Sequence, residues 1–362
     1  MNRKTCWNYH CMDNSNIRLT QFAHGSGCGC KISPAVLQEI LGNHTHDKNY
    51  PGLLVGNDTK DDAAVMSLDN DQCLISTADF FTPVVDNAFD FGRIAAANAI
   101  GDVYAMGGKP LMAIALLGWP VDTLPAKLAS EVLNGARQVC EEVGIPLAGG
   151  HSIDTREPIF GLSVNGLVQR ASIKRNATAE AGDLLFITRP LGTGILAAAL
   201  KRGLLSEEEK AYLTLHMSTI NKVGMVLSEH AAVTAMTDVT GFGIAGHLLE
   251  MCHAANLTAE ISMKNVPVLP AANKFIEQGV MPDATFKNWN TYTPHMKVED
   301  GVDMTTAFTV LPDPQTNGGL LFSCKPNGVE AVFTAMRKAG YTEPTHIGQL
   351  VAASGPFIRV LP

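Results

Sequence analysis

The stretch QCLISTADFFTPVVDNAFDFGRIAAANAIGDVYAMGG, residues 72–108, decides the fold. Gln72–Thr77 is an apolar run of strand length. Residues 89–108 form an apolar helix that Asp90 caps and Gly107 closes. The alternation continues downstream with a strand over Leu111–Leu117, a helix over 124–143, the strand IPLAGG at 145–150 and the strand FGLSVNGLV at 160–168. Alternation of this kind predicts a mixed α/β half that ends near Arg170. The polar link QRASIKRNATAEAGD, residues 169–183, sets a boundary within 170–182. Beyond it LLFIT starts a second half, and a glycine turn at Gly192–Gly194 opens another helix. Upstream, Ser33-Pro34 before AVLQEIL predicts an N-capped helix with proline in its first turn. Residues 1–17 are polar and aperiodic and read as an extension.

Composition supports two ordinary cores or one large one. Of 362 residues, 46% are hydrophobic and 17% charged, which excludes a largely disordered chain. Lys and Arg number 27 against 35 Asp and Glu, a net charge of −8 without basic runs, so neither nucleic acid nor an anionic membrane is the expected main partner. The longest apolar stretch, Leu111–Val121, is about half the ~20 residues of a bilayer span and contains Gly118 and Pro120. The amino terminus has no continuous apolar region of the secretory kind, so the expected compartment is the cytoplasm. Four of the eight cysteines, Cys73, Cys140, Cys252 and Cys324, have apolar neighbours and read as buried thiols. Cys28 and Cys30 are flanked by glycine, and Cys6 and Cys11 receive no role.

The most unusual segment is HGSGCGCK, His24–Lys31. Glycine at alternate positions removes steric limits on the backbone, as a movable thiol-bearing arm requires. Lys31, three residues past Cys28, puts a cation near the sulfur and favours the reactive thiolate. Competing readings are a disordered tail, a Cys-x-Cys metal fragment and a phosphate loop. The metal fragment lacks a second Cys/His pair at finger spacing, and the phosphate loop lacks the G-x-x-x-x-G-K-[ST] pattern.

A second set consists of separated aspartates: Asp61 and Asp62 in TKDDAAV, Asp79 in STADFF, Asp102 in NAIGDVYAM and Asp238 in AMTDVTG. A carboxylate in apolar surroundings has to be paired, hydrogen-bonded or bound to a cation. Hard oxygens from several segments suit Mg²⁺, which substrate phosphates complete. Singly, Asp79 and Asp238 read better as helix caps. Asp102 lies late in its helix, at the unfavourable end of the dipole, with Asn98 one turn earlier on the same face. A third set is the glycine turns at Ala148–Ser152, Leu191–Gly194 and Asp313–Gly319, whose amides suit phosphate oxygens although a plain turn explains each alone.

Together, HGSGCGCKISP, VGNDTKDDAAV, STADFF, FDFGRIAAANAIGDVYAMGGKP, LAGGHSI, TDVTGFGIAGHL and DPQTNGG resemble the selenophosphate synthetase (selenide, water dikinase) family, from about Ile17 to the carboxyl terminus. The resemblance implies a two-domain α/β fold related to aminoimidazole ribonucleotide synthetase, with the amino-terminal halves of a homodimer forming a β-barrel. Its implied divisions are an extension at 1–17, an ATP- and Mg²⁺-binding dimerisation domain at 18–172 with the arm at 24–31, and a carboxyl-terminal domain at 173–362. The implied activity is ATP-dependent conversion of selenide to selenophosphate with release of AMP and phosphate, supplying selenium for selenocysteine and selenouridine. A transient selenium-delivery partner is also implied. Carried over by motif, Cys28 and Lys31 are catalytic and Asp62, Asp102 and Asp238 bind Mg²⁺. Lys31, Thr59, Lys60, Asp61, Asp79, Asp102, Gly150, His151 and Ser152 contact ATP. Ala78 and Asn317 depart from the family pattern, where Thr and Ser are usual. A metal or selenium carrier, and a kinase acting on another small acceptor, are the alternative functions.

Overall fold

The computed structural model describes residues 17–32, 34–41 and 50–362. The expected cap Ser33, residues 1–16 and the cysteines at 6 and 11 lie outside the described residues. After helix α1 (Pro34–Leu41), strands β1 (Leu53–Val55), β2 (Ala64–Ser67) and β3 (Gln72–Phe81) lead into helix α2 (Ala88–Ala105). Strand β4 (Lys109–Trp119), helix α3 (Ala126–Val143), β5 (Leu147–Asp154) and β6 (Ile159–Gln169) complete a six-stranded sheet in the order β1-β2-β3-β6-β4-β5. All its pairings are antiparallel except β4 with β5.

The second sheet has seven strands in the order β10-β13-β9-β12-β7-β11-β8. It is built from β7 (Leu184–Ile187), helices α4 (Thr193–Lys201), α5 (Glu207–Ser218) and α6 (Val223–Ser228), then β8 (Val233–Asp238), α7 (Gly243–Ala255) and β9 (Leu257–Ser262). Helices α8 (Pro270–Glu277) and α9 (Asp283–Tyr292), β10 (Met296–Val298), α10 (Met304–Val310), β11 (Leu320–Cys324), α11 (Val329–Lys338), β12 (Thr345–Ala352) and β13 (Ile358–Leu361) follow. No described helix is long and apolar enough to cross a membrane.

Helix α2 holds the two sheets together. Its apolar residues are spread around the whole circumference and every residue from Ile94 to Ala105 is buried, as a helix without a single solvent face has to be. It packs on β3, β6 and α3 and, on its other side, against α5, α6 and β8. Its cap is Asn87, whose side chain accepts from the Asp90 amide, so Asp90 sits in the first turn and is not the cap expected from the sequence. Asparagine one turn upstream satisfies the free amide, and Asp90 then favours the positive helix end. Gly107, at φ +80, follows the helix where a left-handed residue ends it.

Two further expectations change. Ala148–Ser152 is not a turn but the body of β5, an edge strand exposed from Ala148 to Asp154. Its parallel pairing with β4, Gly150 opposite Ala115 and His151 opposite Leu116, draws the glycines into the sheet. Strand β3 extends to Phe81, so Asp79 lies within a strand and caps nothing. Cys73, Cys140, Cys252 and Cys324 are buried free thiols, as their apolar flanks predict.

Candidate active site

The alternation of β3 points Thr77 and Asp79 toward α2 and leaves Ala78 and Phe80 on the open face. On α2, Asn98 and Asp102 stand one turn apart and meet them. Thr77 donates its hydroxyl to Asp102, and Asn98 Nδ2 donates to Asp79 Oδ2 at 2.6 Å. From the second sheet, Thr237 at the end of β8 donates to Asp62 Oδ1 at 2.8 Å, and Asp238 follows it. The Asp238 Oδ2 oxygen lies 3.1 Å from where a Cβ on Gly101 would stand, so a side chain there would press on this carboxylate where β8 approaches α2. Asp238 is therefore no helix cap: it is 1% exposed and turned toward the other sheet.

Four aspartates from different segments thus converge on the junction between the sheets. Asp62 Oδ2 and Asp238 Oδ2 are buried without a hydrogen-bond partner. Burial, then the charges of Asp238 and Asp102, hold the Asp62 carboxyl well above its usual range. Burial followed by Asp238 and Asp79 does the same to Asp102. Asp238 is pushed up to about 7, by burial most of all and with Lys31 opposing. Acids that suppress each other's ionisation, with oxygens left over, form a donor set that a hard cation would relieve. Among the described residues no three His, Cys, Asp or Glu side chains close around a single point, so such a cation would complete its shell with water or phosphate oxygens.

The arm lies folded onto this junction. Gly27 bridges to Thr82, and its φ of +52 and the position of Thr316 Oγ1, 2.3 Å from where a Cβ would be, require glycine. A short 3₁₀ turn over Cys28–Cys30 follows. The Cys28 amide donates to Thr316 Oγ1 at 3.1 Å, and its Sγ lies 3.4 Å from Asn98 Oδ1. Lys31 Nζ reaches Asp79 Oδ2 at 3.3 Å and keeps 30% of its side chain exposed. Burial opposes the Lys31 charge, but Asp79 and its neighbours outweigh it and hold the ammonium firmly protonated.

The thiolate expected from the Lys31 spacing is not the state of this folded arm. Cys28 is 0% exposed, and burial, then Asp79, pushes its thiol well above the ordinary value despite Lys31. The sequence places the cation correctly but carries no record of the desolvation and of Asp79, which prevail here.

Thr59, Lys60 and Asp61 form a tight turn beside the cluster. Lys60 takes φ +51, Thr59 donates to the Asp61 carboxylate, and the Asn176 amide donates to Asp61 Oδ1 at 2.6 Å. Burial nevertheless raises the Asp61 pKa. Gly150, His151 and Ser152 stand apart: β6 and β4 separate β5 from β3, roughly 14 Å at the usual strand spacing. A cavity of about 500 Å³ between the start of α2 and helices α4 and α5 contains none of these residues.

Sequence reasoning missed Thr77, Thr237 and Thr316, common residues whose roles come from strand and arm pairing. Asn317 was visible only as part of the Asp313–Gly319 turn and as a departure from the family pattern. In the structure its amide donates to Asn98 Oδ1 at 2.7 Å and its Nδ2 to the Met217 and Thr219 carbonyls, at a φ of +49 that asparagine tolerates. Ala78, the other departure, lies on the open face away from the acids.

Residues 60–168 match the N-terminal domain of the AIR synthase related proteins, and residues 180–360 match their C-terminal domain. The selenide, water dikinase of Colwellia psychrerythraea (strain 34H) is 52% identical over 347 residues, 96% of this chain and 99% of that relative. The enzyme of the same name from Cronobacter sakazakii is 52% identical over 354 residues, covering 96% and 100%. The crystal structure of thiamine-monophosphate kinase from Stenotrophomonas maltophilia superposes with a TM-score of 0.62 over 90% of this chain and 94% of that one. At 19% identity it shares the fold alone.

Proposed function

The chain belongs to the selenide, water dikinase family, and from that premise we propose that it makes selenophosphate from ATP, selenide and water, releasing AMP and phosphate. The observation that carries the reading is the junction itself: Cys28 and Lys31, on a glycine-rich segment, rest on Asp79 and Asn98 beside three crowded carboxylates. An acidic cluster cannot hold a polyphosphate by itself. Asp62, Asp102 and Asp238 would hold Mg²⁺, which when bound neutralises phosphate charge and polarises the phosphoryl group. The orphaned oxygens of Asp62 and Asp238 fit that role.

The rest follows from this chain's own groups. Lys31, now tied to Asp79, keeps its charge and is able to transfer that contact to a phosphate oxygen, steadying the charge that develops in transfer. The Thr59–Asp61 turn, buttressed by Asn176, orients the nucleotide from the side of Asp62. Cys28 meets selenide only after the arm lifts, because it is fully covered in the folded position. Lifting restores solvent to the sulfur, removes the largest obstacle to the thiolate and leaves Lys31 close by. Closure then excludes bulk water while selenium reaches phosphorus.

Gly150, His151 and Ser152 are assigned to ATP through pairing of two copies. The exposed edge β5 and the open apolar face of the first sheet, including Phe80, Leu111, Ile114 and Ile153, form a surface that a second copy covers. Such pairing would carry one copy's β5 toward the other's carboxylates. The free thiols and the easily oxidised substrate fit a reducing cytoplasm, where the product would serve selenocysteine and selenouridine synthesis.

Phosphorus NMR of the anaerobic enzyme with ATP, Mg²⁺ and selenide tests the reading. Selenophosphate, AMP and phosphate in equal amounts are expected from the parent chain, and none from Cys28→Ser or Lys31→Ala. ADP as the end product, or full synthesis by both variants, would overturn it.

A further inference from the structure

We propose that Lys201 is a positioning residue for this reaction: its ammonium pins the root of the arm, so that Cys28 and Lys31 return to one seat after each opening. Lys201 is the last residue of α4, in the second half of the chain. Its Nζ lies 2.6 Å from the Ala23 carbonyl, 3.1 Å from that of His24 and 3.2 Å from that of Gly25. An ammonium has three protons to donate, and here three successive carbonyls of one strand of chain receive them. The contact is reciprocal. Arg18 donates to the Leu200 carbonyl at 3.1 Å and Gln21 to the Lys201 carbonyl at 3.3 Å, satisfying acceptors that the end of a helix leaves free.

Glu157, in the loop between β5 and β6, grips the same root from the first sheet. It accepts the His24 amide at 3.0 Å and pairs with the His24 ring. Residues 23–25 are therefore held by both halves of the molecule. The positive-φ residue Gly27 and then Cys28 come immediately after, so the pinned segment is the fixed end from which the thiol-bearing part moves. A free root would let Cys28 leave more often and return to a less defined place.

The consequence for turnover rests on the reading of Cys28 and Lys31 as the reacting pair, but the position of the arm is measurable without turnover. Because Cys28 is completely covered, alkylation of its sulfur reports the opened fraction. The test uses the full chain carrying Cys30→Ser, with Lys201→Met and Lys201→Arg added separately. Iodoacetamide labelling is followed by peptide-resolved mass spectrometry at Cys28, with the core thiol Cys252 as reference.

Losing charge-assisted bonds should speed Cys28 labelling about tenfold or more in Lys201→Met, while Lys201→Arg stays within about threefold of its parent. Cys252 labelling should not change. Turnover should fall through kcat, with KM for ATP unaltered. Unchanged labelling at Cys28, equal acceleration at Cys28 and Cys252, or a rise in KM without loss of kcat would each overturn the proposal. Retained synthesis by Cys28→Ser would instead overturn the assigned chemistry and leave the labelling result standing.

Discussion

At the scale of single residues, the molecule is dominated by acids that resist ionisation. Asp62, Asp102 and Asp238 crowd one another where water is scarce, an arrangement that is unfavourable on its own and that a shared cation would relieve. Replacing Asp62 by Asn should raise the Mg²⁺ concentration for half-maximal activity about tenfold or more, with the melting temperature preserved or raised. A magnesium titration of activity beside a thermal melt checks both. A second buried pair lies behind the loop that follows Asp238. His247 Nε2 accepts the Thr240 amide at 3.0 Å, so the ring proton sits on Nδ1, 3.5 Å from Glu250. Burial pulls His247 down to about 3 and pushes Glu250 up to about 7. The folded chain keeps the Glu250 proton where the unfolded chain has released it, so this group's contribution declines as pH rises from 4.5 to about 7. His247 acts oppositely between about 3 and 6.5 and masks much of the slope. Relative to the parent, Glu250→Gln should gain stability steadily across 4.5 to about 7 and no further above, by up to about 3 kcal/mol. Urea unfolding at half-unit pH steps measures it.

At the scale of elements, close approach decides which helices can serve. A Cβ on Gly92 of α2 would stand 1.9 Å from the Val132 carbonyl oxygen, and one on Gly135 of α3 would stand 1.9 Å from that of Phe89. The two helices cross backbone to backbone at these glycines, and that crossing sets α2 at the depth where Asn98 and Asp102 reach β3. Gly92→Ala should cost about 1–3 kcal/mol in urea unfolding and lower activity by displacing α2. Unchanged stability would mean that the crossing has slack. Alternation and helical period made most of these elements legible in advance, including α2, α3 and the core of β3. The start of β5 was legible in IPLAGG, but its continuation through Gly149–Ser152 read as a turn because glycine pairs are commoner in turns than in strands, and parallel pairing with β4 leaves no local signal.

At the scale of the whole molecule, the two sheets meet along α2 and leave the other face of the first sheet open. Rows such as Ala78, Ser163 and Ile114 cross that face in register. An apolar sheet face with an exposed edge strand is the kind of surface that association covers. The parent chain should sediment as a dimer, and Ile114→Asp should shift it toward monomer and weaken ATP binding together. A monomeric parent, or dissociation without loss of nucleotide affinity, would remove His151 from the nucleotide site.

What the amino-acid order determined by itself was whatever depends on neighbours along the chain: the alternation of strands and helices, the glycine-rich thiol segment, and the aspartates that apolar flanks made conspicuous. Motif resemblance then extended those residues to a chemistry. Only the tertiary structure decided the state of each group. It buried Cys28 beneath its own arm, turned Asp79 and Asp238 from cap candidates into members of a shared cluster, moved Gly150–Ser152 to a distant edge and put Lys201 on the root of the arm. The physical reason is that desolvation and Coulomb energies depend on distances in space between segments far apart in sequence, and folding alone sets those distances.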